Sequence, residues 1–278
     1  MIMEKESRVN LSAIFRDEDL LFVLRVIMPE TFDSKKMLKT VREDAEILKA
    51  MLSDKRLFDY LMNDPESIIR VSPPLFFTVL LLRAKHDLEQ RSYTIERESR
   101  HRIFVFDSKE VVRLLEDDRI IGYLGHVLSS FVRVNSYSIP VRIKKGVWRK
   151  FRFNDFDVDS LIKYSGMIDE SQRFLPYKRI ADVCLFITGV FPEYVDTGPS
   201  SADMGHHSLR FLMKRRRDEF EQHGKTFYRA AARHRTAEIY ELSQLLEELS
   251  EQFVLAEKPL VYLSRHYLGF FRENLFLE

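Results

Sequence analysis

At 278 residues the chain is long enough for one large domain or two ordinary ones, and its 45% apolar content, with 22 Phe and 11 Tyr, excludes a disordered chain. The 44 Lys and Arg against 43 Asp and Glu leave a net charge of +1, which excludes a global field toward nucleic acid or anionic lipid, so any such binding must be local. Nine glycines, nine prolines and a single cysteine argue against a many-stranded barrel and exclude both an internal disulfide and a multi-cysteine metal centre.

The opening residues, MIMEKESRVN, are charged and contain no apolar stretch. No secretory leader or lipid anchor is therefore expected, and the expected setting is cytoplasmic. Behind Ser34, Met37, Val41, Ala45, Leu48 and Leu52 recur at helical spacing and predict one amphipathic helix. Leu57 to Met62 continues helically toward Pro65. Ser72 followed by Pro73 and Pro74 starts a helix from Leu75 to about Gln90, whose first two turns are apolar on every side and must be covered by other elements. Tyr93–Arg97 and His101–Phe106 alternate as strands and predict a small hairpin ending at Asp107. A second hairpin is predicted from Ile139 to Phe153, with Ile139, Val141, Ile143, Val147, Phe151 and Phe153 on one face and a turn at Lys144, Lys145 and Gly146.

Asn154 or Asp155 is the expected cap of a helix running to about Ser165, and a second fully apolar helix runs from about Ser171 to Phe191 before Pro192. It contains Cys184, expected to be a buried packing residue. A Gly-, Pro- and Ser-rich loop, Asp196–Ser201, follows. Three more helices are predicted: about Ala202–Gln222, about Lys225–Ala256 with a break near Arg235, and about Pro259–Arg272. The longest apolar runs, LFFTVLLL and VCLFITGVF, fall well short of the ~20 residues a bilayer span requires. The expected class is mainly α, multi-helix orthogonal or bundle packing with one or two small β-hairpins. A break at Val134–Ser138 would separate an N-terminal helical region, residues 1–136, from a hairpin and helical bundle, residues 137–278; one domain is the alternative.

The segment RIADVCLFITGVFPEY from Arg179 to Tyr194, followed by SADMGHH, resembles members of a bacterial, mostly helical family to which no activity is attached. SPPLFFTVLL and FNDFDVDSLI extend the similarity over much of the chain. The resemblance implies a bacterial, cytoplasmic setting and carries over no catalytic residue.

Among candidate sites, the second hairpin is the most suggestive. Arg142, Lys144, Trp148, Lys150 and Arg152 are expected on one face, with no acidic residue from Ser138 to Phe153. Clustered cations suit phosphates and an indole suits an unstacked base, while an acidic protein surface would fit as well. One such surface lies in this chain: Ala237–Glu257 carries Glu238, Glu241, Glu247, Glu248, Glu251 and Glu257 without Lys or Arg. Docking of the two segments is the structural alternative. The run from Lys214 to Arg217 should be neutralised at i,i+4 by Asp218, Glu219 and Glu221.

Within RDEFEQH, Arg217 and His223 spell the spaced pair used by HEPN-type helical ribonucleases, where histidine serves as general acid or base and arginine stabilises phosphate charge. The chain is rich in Arg, and Arg229 with His234 shows that such spacing also arises by chance. Asp203, His206 and His207 combine metal-ligand types, although on a helix His206 turns about 100° from the other two. Asp155, Asp157 and Asp159 imitate the start of a calcium loop that Ser160 and Gly166 contradict, leaving helix capping. GxGxxG, P-loop and GxSxG patterns are missing, so no cofactor is expected. Ile239, Leu242, Leu246, Leu249, Phe253 and Ala256 approach heptad spacing on a helix from Ala237 to Ala256, a bundle face or a homo-oligomer seam. These features point to a non-enzymatic helical binding or regulatory protein with a protein or nucleic-acid partner and no membrane. A metal-independent ribonuclease and a nucleic-acid-binding protein without catalysis are the alternatives.

Overall fold

A computed structural model of the protein describes residues 11–29, 34–63, 70–91, 94–98, 101–105, 107–132, 136–144, 147–154, 156–197, 215–269, 272, 275 and 276. Their fold is mainly α-helical. Backbone contacts divide it into two units. The first comprises the described residues of Met1–Glu96, Ile103–Ser130 and Arg265–Gly269, and the second those of Arg97–Arg102, Phe131–Ser264 and Phe270–Glu278.

The first unit is built from α1 (Leu11–Ile14), α2 (Asp17–Ile27), α3 (Ser34–Glu43), α4 (Ala45–Leu52), α5 (Lys55–Asn63), α6 (Pro73–Glu89), α7 (Ser108–Leu114) and α8 (Asp118–Ser130). The single helix expected from Met37 to Leu52 is two. Asp44 leaves helical geometry and accepts the amide protons of Glu46 and Ile47, each at 3.0 Å, so a good N-cap inside an amphipathic run starts a new helix. Every residue from Leu75 to Leu82 is buried, which makes the first half of α6 the centre of this unit. Asp19, 2% exposed, accepts from the Arg16 amide at 3.1 Å and from the Ser72 amide at 2.9 Å. One carboxylate thus caps α2 and ties it to the start of α6. Lys49 of α4 meets Asp118 of α8 at 2.5 Å, and Tyr267 donates to Asp87 of α6 at 2.7 Å.

Two two-stranded sheets accompany the helices, β1 (Thr94–Glu98) with β2 (His101–Val105) and β3 (Ser136–Lys144) with β4 (Val147–Asn154). The second unit comprises β3, β4, α9 (Val158–Ser165), α10 (Phe174–Val190), α11 (Pro192–Thr197), α12 (Arg217–Ala232), α13 (Arg235–Ile239), α14 (Ser243–Glu251) and α15 (Phe253–Leu263). The cap of α9 is Asp157, not Asn154 or Asp155: its carboxylate accepts from the Asp159 amide at 3.2 Å and the Ser160 hydroxyl at 2.6 Å.

Residues Ile180 to Phe191 are all buried, and α10 packs against α9, α12 and α15. Small residues set two of those contacts. A methyl group at Gly189 would lie 2.6 Å from Cβ of Leu260, and one at Gly224 would lie 2.2 Å from the Phe253 ring. Phe186 stacks on Phe131 at 4.2 Å, with Phe156, Phe191 and Phe276 edge-on around it. The C-terminus of α10 is closed at the Val190 carbonyl, which accepts from the Ser264 hydroxyl at 2.6 Å and from Arg272 at 2.9 Å.

The predicted helix from Lys225 to Ala256 is broken three times, the first time near Arg235 as expected. It stops at Ala232, again after α13, where Glu241 takes a left-handed φ of 57° and the Leu242 amide closes on the Ala237 carbonyl at 2.8 Å, and again at Gln252 between α14 and α15. Ile239, 65% exposed, is therefore separated from Leu246 and Leu249 on α14 and from Phe253 and Ala256 on α15, and the heptad positions form no seam on one helix. Pro259 lies inside α15 rather than at a helix start. The helix begins six residues earlier and continues through the proline, with Leu260 and Leu263 buried beyond it, although the ring removes a backbone donor and crowds the carbonyl four residues before it.

Candidate functional site

The antiparallel register of β3 and β4 pairs Ser138 with Arg152, Pro140 with Lys150, and Arg142 with Trp148. Residues directly opposite in such a ladder belong to the same face, so positions 142, 148, 150 and 152 share one face, together with 138 and 140. The intervening pairs, Tyr137 with Phe153, Ile139 with Phe151 and Val141 with Arg149, define the other. Lys144 departs from the expected set. A register shift between Arg142 and Lys144 pairs Lys144 with Val147, which moves it onto the alternation of the apolar face. Period-2 counting could not anticipate this, because one extra residue in a strand inverts every position beyond it.

Arg217 and His223 both lie on α12 but turn to different partners. Six residues on a helix rotate about 240°. Arg217, in the first turn, places Nη1 2.9 Å from Oε2 of Glu257 on α15 and Nη2 3.5 Å from the Thr188 carbonyl on α10. His223 places Nδ1 2.6 Å from the Glu219 carbonyl, which can only accept, and Nε2 3.0 Å from Nη1 of Arg215, which can only donate. Nη1 of Arg215 also lies 3.3 Å from Nδ1, so both ring nitrogens face partners within the chain. An imidazole so engaged has neither nitrogen turned toward a reacting group, and Arg217 is directed into the helix packing.

In the basic run at the start of α12, Arg215 and Arg216 are each paired with a carboxylate, and Arg215 not with the Glu219 that i,i+4 spacing suggests. Because the helix begins at Arg217, Arg215 stands outside its geometry and pairs with Asp159 of α9, while Arg216 meets Asp218 at 3.6 Å. Lys214 lies outside the described residues.

Beneath α12 lies a polar cluster that periodicity did not reveal. Asp182, 3% exposed, accepts from Lys178 at 3.0 Å and from the fully buried Tyr228 hydroxyl at 2.8 Å. Nearby on α15, Glu257 is 2% exposed. Burial pushes its carboxyl up to about 8, Glu221 adds to the rise, and the Arg217 and Lys225 charges oppose it. The Thr188 hydroxyl donates to the Cys184 carbonyl at 2.9 Å, and Oε1 of Glu257 has no hydrogen-bond partner among the described residues. Burial also holds the Cys184 thiol well above its ordinary range, as suits an unreactive packing residue. The hint in the sequence was Lys178 and Asp182, four apart in a helix whose later turns are almost wholly apolar.

The acidic segment is only partly an acidic surface. Glu247 lies 3.9 Å from both Arg229 of α12 and Arg233 just past its end, Glu257 is buried against Arg217, and Glu238, Glu241 and Glu251 are exposed. Asp203, His206 and His207 lie outside the described residues, and among the described residues no group of three His, Cys, Asp or Glu side chains is placed to hold a metal ion. In the first unit, a groove of about 450 Å³ sets Arg91, Lys109 and Arg113 against Glu89 and Glu116, and so offers no field of one sign. No described helix is long and apolar enough to cross a membrane.

No protein-family profile, curated protein or solved structure matches this chain. Its functional reading therefore rests on its own residues.

Proposed function

We propose that the protein is a non-enzymatic, mainly helical binding protein that engages a polyanionic partner through the β3–β4 hairpin. The observation that carries this reading is the register, which sets Arg142, Lys150 and Arg152 on one face with Trp148 and with no carboxylate in either strand. Three cations on one small ribbon create a local field that the near-zero net charge of the whole chain conceals. The competing surface, the acidic segment, supplies less: Glu247 and Glu257 are already engaged by arginines of α12. Catalysis by Arg217 and His223 is disfavoured by the different directions in which their partners hold them.

Retention on immobilised heparin tests this. The triple variant Arg142→Ser, Lys150→Ser, Arg152→Ser should elute at distinctly lower salt than the parent, whereas Arg149→Ser, on the opposite face of the same strand, should elute with it. Equal retention of the triple variant and the parent refutes the proposal.

A further inference from the structure

We infer that the ligand of this hairpin is a single-stranded nucleic acid, its bases stacking on Trp148 and its phosphates meeting Arg142, Lys150 and Arg152. The inference rests on the polyanion-binding reading and adds what the indole contributes. Trp148 stands directly across from Arg142 in the ladder and two residues from Lys150, which itself precedes Arg152 by two. Alternate positions on a strand repeat every ~6.7 Å. The register thus sets the Trp148 position one step from the Lys150 position on its own strand and directly across from the Arg142 position on the neighbouring strand. An extended chain of alternating phosphates and bases can follow that arrangement.

Other polyanions use only part of it. An acidic protein surface neutralises the three cations but has no planar group to set on the indole. In a duplex the base faces are covered by their neighbours, so stacking on a side chain first requires unstacking a step. An unpaired strand presents both groups without that cost, and base-on-aromatic stacking serves any sequence because every base has a π-face. Phosphate contacts supply the remaining affinity through released counterions.

Trp148 is the only tryptophan in the chain, so its fluorescence reports on the site directly. The full-length protein is titrated with a 15-mer of oligo-dT, a 15-base-pair duplex and polyglutamate. The inference expects oligo-dT to quench the emission, with a log–log salt dependence near −2, from about −0.7 for each of three cations. Trp148→Leu should weaken oligo-dT binding about 5- to 150-fold, the range typical of one lost stack, and Trp148→Phe should restore much of it. The duplex and polyglutamate should bind more weakly and leave the emission nearly unchanged. The quenching and the salt slope are read on the unaltered protein and need no variant to fold. Polyglutamate or duplex binding as tight as oligo-dT, or oligo-dT binding without quenching, overturns the single-strand assignment while leaving polyanion binding in place. If the unaltered protein binds none of the three and heparin retention is insensitive to the triple substitution, both fall together.

Discussion

Replacing Gly224 by alanine tests the packing that seats α12. In a helix interior such a substitution ordinarily stabilises, by about 1 kcal/mol, because it restricts the unfolded chain. Here the added methyl would lie 2.2 Å from both Cε2 and Cζ of Phe253 and 3.1 Å from Cδ2. Carbon atoms in contact prefer about 3.5–4.0 Å, so the ring must move by more than about 1 Å. Phe253 is fully buried and lies 6.0 Å, centroid to centroid, from Tyr228, whose hydroxyl holds Asp182. Its room to yield is small. Overpacking at the upper end of its usual range, about 3 kcal/mol, less the helix-propensity gain, leaves a net loss of about 2 kcal/mol. Urea denaturation followed by far-ultraviolet circular dichroism measures it. Phe253→Leu in the Gly224→Ala background should then cost less than it does alone, with a coupling of at least about 1 kcal/mol. A Gly224→Ala protein as stable as the parent, or strictly additive losses in the double variant, would refute the reasoning.

Two further outcomes follow from particular groups. The Glu257 carboxyl is raised in the folded protein from an ordinary 4.5 to about 8, so its protonated form favours folding: that contribution is complete below 4.5 and is lost as the pH rises through about 8. Relative to Glu257→Gln, the parent should lose stability across this window with a slope of at most about 1.4 kcal/mol per pH unit, and parallel urea midpoints from pH 5 to 8 would contradict it. Glu241 is exposed and holds a left-handed φ of 57°, so Glu241→Gly should raise stability by about 0.5–1 kcal/mol, the relief of backbone strain exceeding the added entropy of the unfolded chain; a thermal midpoint below that of the parent would count against this.

Local signals and long-range packing divided this protein unevenly. The Ser72–Pro73–Pro74 start, the apolar content of Leu75–Leu82 and Val183–Phe191, and the predominance of helix were legible because capping chemistry and burial on all sides are written in consecutive residues. The fates of the charged groups were not. Arg215 looked like the partner of Glu219 and pairs instead with Asp159, 56 residues away, while Arg217 reaches Glu257, 40 residues away, because the start of α12 and its crossing of α10 and α15 decide which carboxylates come within reach. Glu241 ends a helix that propensity would continue, and an extra residue at Ile143 removes Lys144 from the basic face. A one-residue change of phase costs little locally and redirects every side chain after it, so it escapes periodic patterns. The residue types at the hairpin were therefore determined by the sequence alone, whereas which cations stand beside Trp148 was decided by the pairing of two strands.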